Sequence, residues 1–231
     1  MFDCMYWNPP AEEKHKWEHI DPVKSSNRND SVRIYESHVG MAQEAGKVSS
    51  YREYAEHILP RVKKAGYNVI QLMAIQEHAY YGSFGYHVTG FFGISSRSGT
   101  PDDFKFLVDK AHGMGIKIVI DLVHSHASNN VFDGINRFDG TDHSFSHGGA
   151  RGYHSGWDSM LFDYSKYEVK RFLLSNLAWF LLLDLFLAWN FFNRLLAQNR
   201  YRTWFFWAQF FCTFLALSWW GFRWSFWCDD L

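Results

Sequence analysis

Two short stretches hold residue types that could do chemistry together. Asp121-Leu-Val-His124-Ser-His126 closes an apolar run with one carboxylate and two imidazoles. His124 and His126 lie two apart, on one side of an extended chain. Two histidines and an aspartate can ligate zinc. However, the sequence offers no helical His-x-x-x-His, and His143, His147 and His154 fall on a long downstream loop. Hydrogen bonding to a polar ligand is the use this pattern favours, so no metal site is assigned. The second stretch, Tyr80-Tyr-Gly-Ser-Phe-Gly-Tyr-His87, sets four aromatic rings on a glycine-rich loop. Rings of this kind stack on the apolar face of a sugar, and glycines let backbone approach a ligand. The competing reading is that Phe84 and its neighbours pack under their own loop, with Tyr86 the ring better suited to a ligand.

The elements around these stretches must bring them together. Residues 31–40, SVRIYESHVG, alternate apolar and polar with β-branched side chains, a strand pattern. Ser50-x-x-Glu53 is a capping box, so a helix is expected from Tyr51, with Tyr54, Ile58 and Val62 on one face and Gly66 as its stop. Pro60 inside it predicts a kink. Residues 67–75, YNVIQLMAI, are nearly all apolar, as suits a strand buried on both faces of a parallel sheet. Thr100 caps a second helix with Pro101 in its first position, and Phe104, Leu107, Val108 and Ala111 form its apolar stripe before Gly113 and Gly115. Residues 116–123, IKIVIDLV, make a third buried strand. Strands alternating with helices predict a parallel α/β fold, whose chemistry gathers on the loops after the strands' carboxyl ends. Both candidate stretches lie on such loops.

Whole-chain properties narrow the function classes. The 231 residues carry 23 Lys+Arg against 24 Asp+Glu, a net charge of -1, which is unsuited to a nucleic-acid binder needing a basic stripe. Three scattered cysteines suit neither a disulfide scaffold nor a zinc ribbon. The first 30 residues are charged throughout, with no apolar run of secretory type. Composition changes abruptly near Phe172: 21 of the last 60 residues are aromatic, while every histidine and proline lies before position 155. The two parts therefore need separate readings.

Ordered landmarks now point to a family. RIYESHVGM at 33–41, YREYAEHILPRVKKAGYNVIQLMAI at 51–75, YYGSFGYHVTGFF at 80–92, SSRSGTPDD at 95–103, DLVHSHASNNVFDG at 121–134 and WDSMLFDYSKYEVKRFLLSNL at 157–177 occur in sequence. From Tyr6 to about Trp179 the chain resembles the 1,4-α-glucan (starch or glycogen) branching enzymes of the α-amylase superfamily. The resemblance implies a partial (β/α)8 TIM barrel holding the first three βα units over residues 31–177, preceded by a linker at 1–30; the aromatic-rich tail at 178–231, expected to be helical, lies beyond the family pattern. It implies transfer of α-1,4-glucan segments to a 6-hydroxyl, without cofactor, by two carboxylates acting as in retaining glycosidases. It further implies that Asp121 supports the site, that His126 bonds the sugar at the cleavage subsite, and that Tyr86 stacks on that sugar. The family's nucleophile belongs in Gly-Phe-Arg-Phe-Asp, about a dozen residues past Asn176-Leu177. Here Gly221-Phe-Arg-Trp-Ser225 follows 45 residues after Asn176, with Ser225 where aspartate belongs. The expected partner is an α-1,4-glucan, and the expected location is cytoplasm or plastid.

The tail admits three readings. Residues 203–222 are 20 uncharged residues flanked by arginines, long enough for a membrane helix. They could instead form a core, or follow a change of frame or splicing after Leu177. The functions to be weighed are a branching-enzyme product lacking its catalytic carboxylates, a non-catalytic glucan-binding remnant, and a protein anchored in a membrane through the tail.

Overall fold

Three parallel strands carry the molecule: β1 (Ile34–Ser37), β2 (Val69–Leu72) and β5 (Lys117–Ile120), in the order β1-β2-β5. This computed structural model describes residues 6–19, 21–22 and 31–182. Ser225, the 203–222 stretch and the rest of the tail lie outside the described residues. Ile34 sits opposite Val69, and Val69 opposite Lys117, so the strands run in register with their carboxyl ends at one edge. Those are the three strands expected from the alternation in 31–40 and from the two apolar runs. Each is four residues long, and bonds from the Met73 and Asp121 N–H groups to the Ser37 and Leu72 carbonyls continue the ladder just past the strand ends.

The first connection is α1, built from Tyr51–Glu53, a π-helical turn Tyr54–Ile58, and Leu59–Lys64. Both bonds of the capping box form: Ser50 Oγ accepts from the Glu53 N–H at 3.1 Å, and the Glu53 carboxylate accepts from the Ser50 N–H at 2.9 Å. The structure places a π turn where Pro60 predicts a kink. Proline lacks the N–H of the α pattern and its ring crowds the preceding turn. Widening the helix just before Pro60 relieves both constraints. Gly66, at φ +85°, reverses the chain as expected. The second connection, α2 (Pro101–Gly113), starts from Thr100, whose hydroxyl accepts from the Asp103 N–H. Leu59, Ile70, Leu72, Leu107, Val108 and Ile118 form the core between sheet and helices, with Tyr51 edge-on to Phe104 at 5.2 Å.

The third helix, α3 (Tyr167–Leu182), runs straight through the change of composition. Val169, Leu173, Asn176 and Phe180 form its buried stripe at helical spacing, and Phe180 enters the core of α1 and α2. Aromatic enrichment therefore begins inside a helix that is properly packed. No helix among the described residues is long and apolar enough to cross a membrane.

Two small antiparallel sheets occupy stretches whose sequence reads as loop. β3 (Gln76–Glu77) pairs with β4 (Gly90–Ile94), and β8 (Ser159–Leu161) lies between β6 (His126–Ser128) and β7 (Tyr153–His154). Runs of two to five residues are too short to show a period of their own.

Residues 6–19 dock onto α2 through two buried carboxylates. The Trp7 indole N–H and the His15 N–H donate to Asp102 at 2.6 and 3.0 Å. Asp109 accepts from the Glu18 and His19 N–H groups, both at 2.9 Å, and meets the His15 and His19 imidazoles at 3.0 and 3.1 Å. Burial pushes the Asp109 pKa up, but these hydrogen bonds outweigh it and hold the group below its ordinary 3.8. A folded-state pKa below the unfolded one gives stability that is present above about 3.8 and lost as pH falls through the folded value. Asp109→Asn is therefore expected to melt lower than the unsubstituted chain near neutral pH, with the gap closing as pH falls below the ordinary carboxylate value of 3.8. Thermal melts of both chains across pH check this; a gap that persists in acid would show that the contact does not depend on charge.

Candidate functional site

The carboxyl end of β5 opens into a cleft of about 670 Å³, lined by Tyr86, Asp121, His124, His126 and Tyr164 with Ser125 and apolar neighbours. Tyr86 arrives on the loop between β3 and β4. Gly85 lets it do so: its φ is +93°, and a Cβ there would overlap the Ala74 carbonyl oxygen. Asp121 follows β5 directly, its N–H bonded to the Leu72 carbonyl at 3.1 Å, so the carboxylate is aimed by the sheet itself.

The structure brings Tyr86, Asp121 and His126 together. The Tyr86 hydroxyl donates to the Asp121 carboxylate at 3.2 Å, and His126 Nε2–H donates to the Tyr86 carbonyl at 3.0 Å. Because a carbonyl only accepts, the proton is on Nε2, and Nδ1 accepts from the Ser125 hydroxyl at 2.8 Å. A sugar hydroxyl would compete with the Tyr86 carbonyl for that proton. Burial, then the charge of Asp121, push the Tyr86 hydroxyl pKa up to about 12, so it stays a donor at any physiological pH. Burial pulls the His126 pKa down against the raising effect of its bond to Tyr86, and His87 and His154 lower it further, which favours the neutral ring.

His124 takes a separate path. Its Nε2 lies 2.6 Å from Asn176 Oδ1 on α3, rather than beside His126. Among the described residues no three His, Cys, Asp or Glu side chains gather as a metal would require. Asn176 belongs to a buried amide pair. Gln76 Nε2 donates to Asn176 Oδ1 at 3.3 Å and to the Phe91 carbonyl at 3.1 Å. Asn176 Nδ2 donates to that same carbonyl at 2.5 Å, and Gln76 Oε1 accepts the Val123 N–H at 2.9 Å. The pair ties β3, β4, α3 and the chain after β5 together behind the cleft. Sequence reasoning assigned no role to Gln76 or Asn176, although an amide ending an apolar run and another inside a hydrophobic helix were visible signals.

The other rings of the Tyr80–His87 loop divide. Tyr81 stacks on His78 at 6.2 Å, the packing role, whereas Phe84 lies edge-on to His38 at 6.2 Å yet stays half exposed. Tyr80 is mostly exposed.

This arrangement has counterparts. The family described as "Alpha amylase, catalytic domain" matches residues 56–151. A 1,4-alpha-glucan-branching enzyme of Yarrowia lipolytica is 57% identical over 181 residues, covering 78% of this chain and 26% of that protein. The chain belongs to the branching-enzyme family of the α-amylase superfamily. A branching enzyme of Solanum tuberosum is 55% identical over 78% of this chain and 21% of its own length. The chain thus spans about a quarter of the length of the curated relatives it matches. Among solved structures, a putative α-amylase from Salmonella typhimurium superposes with a TM-score of 0.54 at 25% identity, over 71% of this chain and 27% of that one. The sheet of parallel strands is therefore a segment of the α-amylase barrel.

Proposed function

We propose that the described residues form the part of a branching-enzyme catalytic domain that grips an α-1,4-glucan. Tyr86 stacks on one glucosyl ring, Asp121 orients the Tyr86 hydroxyl and accepts from the sugar, and His126 donates Nε2–H to a sugar hydroxyl. The observation that carries this reading is the bonded set of Tyr86, Asp121 and His126 on the wall of one open cleft. In the complete reaction, a glucan segment passes to a 6-hydroxyl of another chain in glycogen or starch synthesis, within cytoplasm or plastid. That step needs two carboxylates flanking the glycosidic bond. Among the described residues that line the cleft, Asp121 alone carries a carboxylate, and gripping is the work assigned to this segment.

Affinity electrophoresis through gels containing amylose tests the reading. The 231-residue chain is expected to be retarded, and Tyr86→Ala to bind about tenfold more weakly, equivalent to roughly 1.4 kcal/mol. Equal mobility with and without amylose would overturn it.

A further inference from the structure

Trp157 occupies the turn between β7 and β8 and is 54% exposed, although its backbone is tightly held. Its N–H donates to the His154 carbonyl and to His154 Nδ1, each at 3.1 Å. Its carbonyl accepts from His87 Nε2 at 2.6 Å and from the Ser159 hydroxyl at 2.8 Å. One side of the indole stacks on the His154 ring, with centroids 4.1 Å apart and planes 24° from parallel. The His126 ring lies 5.4 Å away, tilted by 40°. Two histidine rings thus neighbour the indole, and a third histidine, His87, holds its backbone.

A large apolar ring left half in water normally gains by burial. This one is immobilised before any ligand arrives, so ordering it on binding costs little. It also adjoins His126, a wall of the cleft. We propose that Trp157 is a second sugar platform, stacking under the glucosyl unit next to the one gripped by Tyr86, Asp121 and His126. The inference rests on the reading that the cleft takes an α-1,4-glucan. A chain bound in the cleft leaves past His126 and lays its next apolar sugar face on the indole, while the stacked His154 backs the ring from the other side.

Calorimetric titration of the 231-residue chain with maltose and with maltoheptaose tests this. Trp157→Ala is expected to weaken maltoheptaose binding about tenfold and maltose binding by less than about twofold, while Trp157→Phe, which keeps a ring, retains most of the affinity. Tyr86→Ala is expected to weaken both sugars. Unchanged maltoheptaose binding by Trp157→Ala, alongside a weakened Tyr86→Ala, would overturn the platform and leave the cleft assignment standing. Equal losses for the two sugars, or equal losses in Trp157→Ala and Trp157→Phe, would also overturn it. Failure of the unsubstituted chain to bind either sugar would overturn both readings.

Discussion

Incubated with amylose, the 231-residue chain is expected to form no α-1,6 linkages above a heat-killed control, and Ser225→Asp is expected to leave it at that level. Retaining cleavage needs two carboxylates about 5 to 5.5 Å apart, one ionised to attack and one protonated to release the leaving oxygen. Among the described cleft-lining residues only Asp121 has a carboxylate, and it accepts from the Tyr86 hydroxyl. Further along the sequence, the last glutamate is Glu168, and beyond it the acidic residues are Asp184, Asp229 and Asp230. A serine at the nucleophile position would need an adjacent general base, and no histidine follows His154. Supplying an aspartate at 225 restores one of two groups and leaves the acid/base role empty. The deficit is on the order of 10⁶-fold or more, the whole enzymatic enhancement. Debranching followed by chain-length profiling reads the product, and turnover in either sample would overturn the assignment.

Asn176→Leu is expected to destabilise the folded segment by about 2 to 4 kcal/mol, a large share of the roughly 5 to 15 kcal/mol typical of a domain. The substitution keeps the side chain's bulk but removes the acceptor of Gln76 Nε2–H and His124 Nε2–H and the donor to the Phe91 carbonyl. Gln76 and Asn176 are fully buried, so water cannot replace those bonds. The same network predicts a pH response. Burial lowers the His124 pKa below its ordinary 6.5, against the raising effect of its bond to Asn176. In that window the unfolded chain binds the proton more readily than the folded one, so stability falls as pH drops below about 6.5. Urea unfolding at neutral pH measures the first effect; a change below about 0.5 kcal/mol, the usual size for an inert surface site, would show that the amide pair carries no load.

Local signals were legible in the residues because they act over a few positions. The Ser50–Glu53 box, the Thr100 cap and the left-handed Gly66 each depend on bonds or dihedrals within one turn, and each formed as written. Two of the strand runs, 67–75 and 116–123, were legible for a related reason: a strand covered on both faces must be apolar throughout, and that requirement leaves its mark on nearly every residue, whereas the first strand showed in its alternation. Asp121 and His126 could be nominated because they close such a run, and Tyr86 because it sits among glycines.

What the sequence by itself determined, then, is the alternation of three strands with the two helices between them, and the family. Only the tertiary structure decided which atoms meet. The bond of His126 to the Tyr86 carbonyl spans 40 positions, that of Gln76 to Asn176 spans 100, and the clamp of residues 6–19 on Asp102 and Asp109 spans about 90. Contacts across such separations leave no periodic trace, since either partner alone reads as an ordinary polar residue. The split between His124 and His126 has the same origin: spacing put them on one side of an extended chain, but the buried Asn176 offered a nearer acceptor to one ring, and the Tyr86 carbonyl offered one to the other.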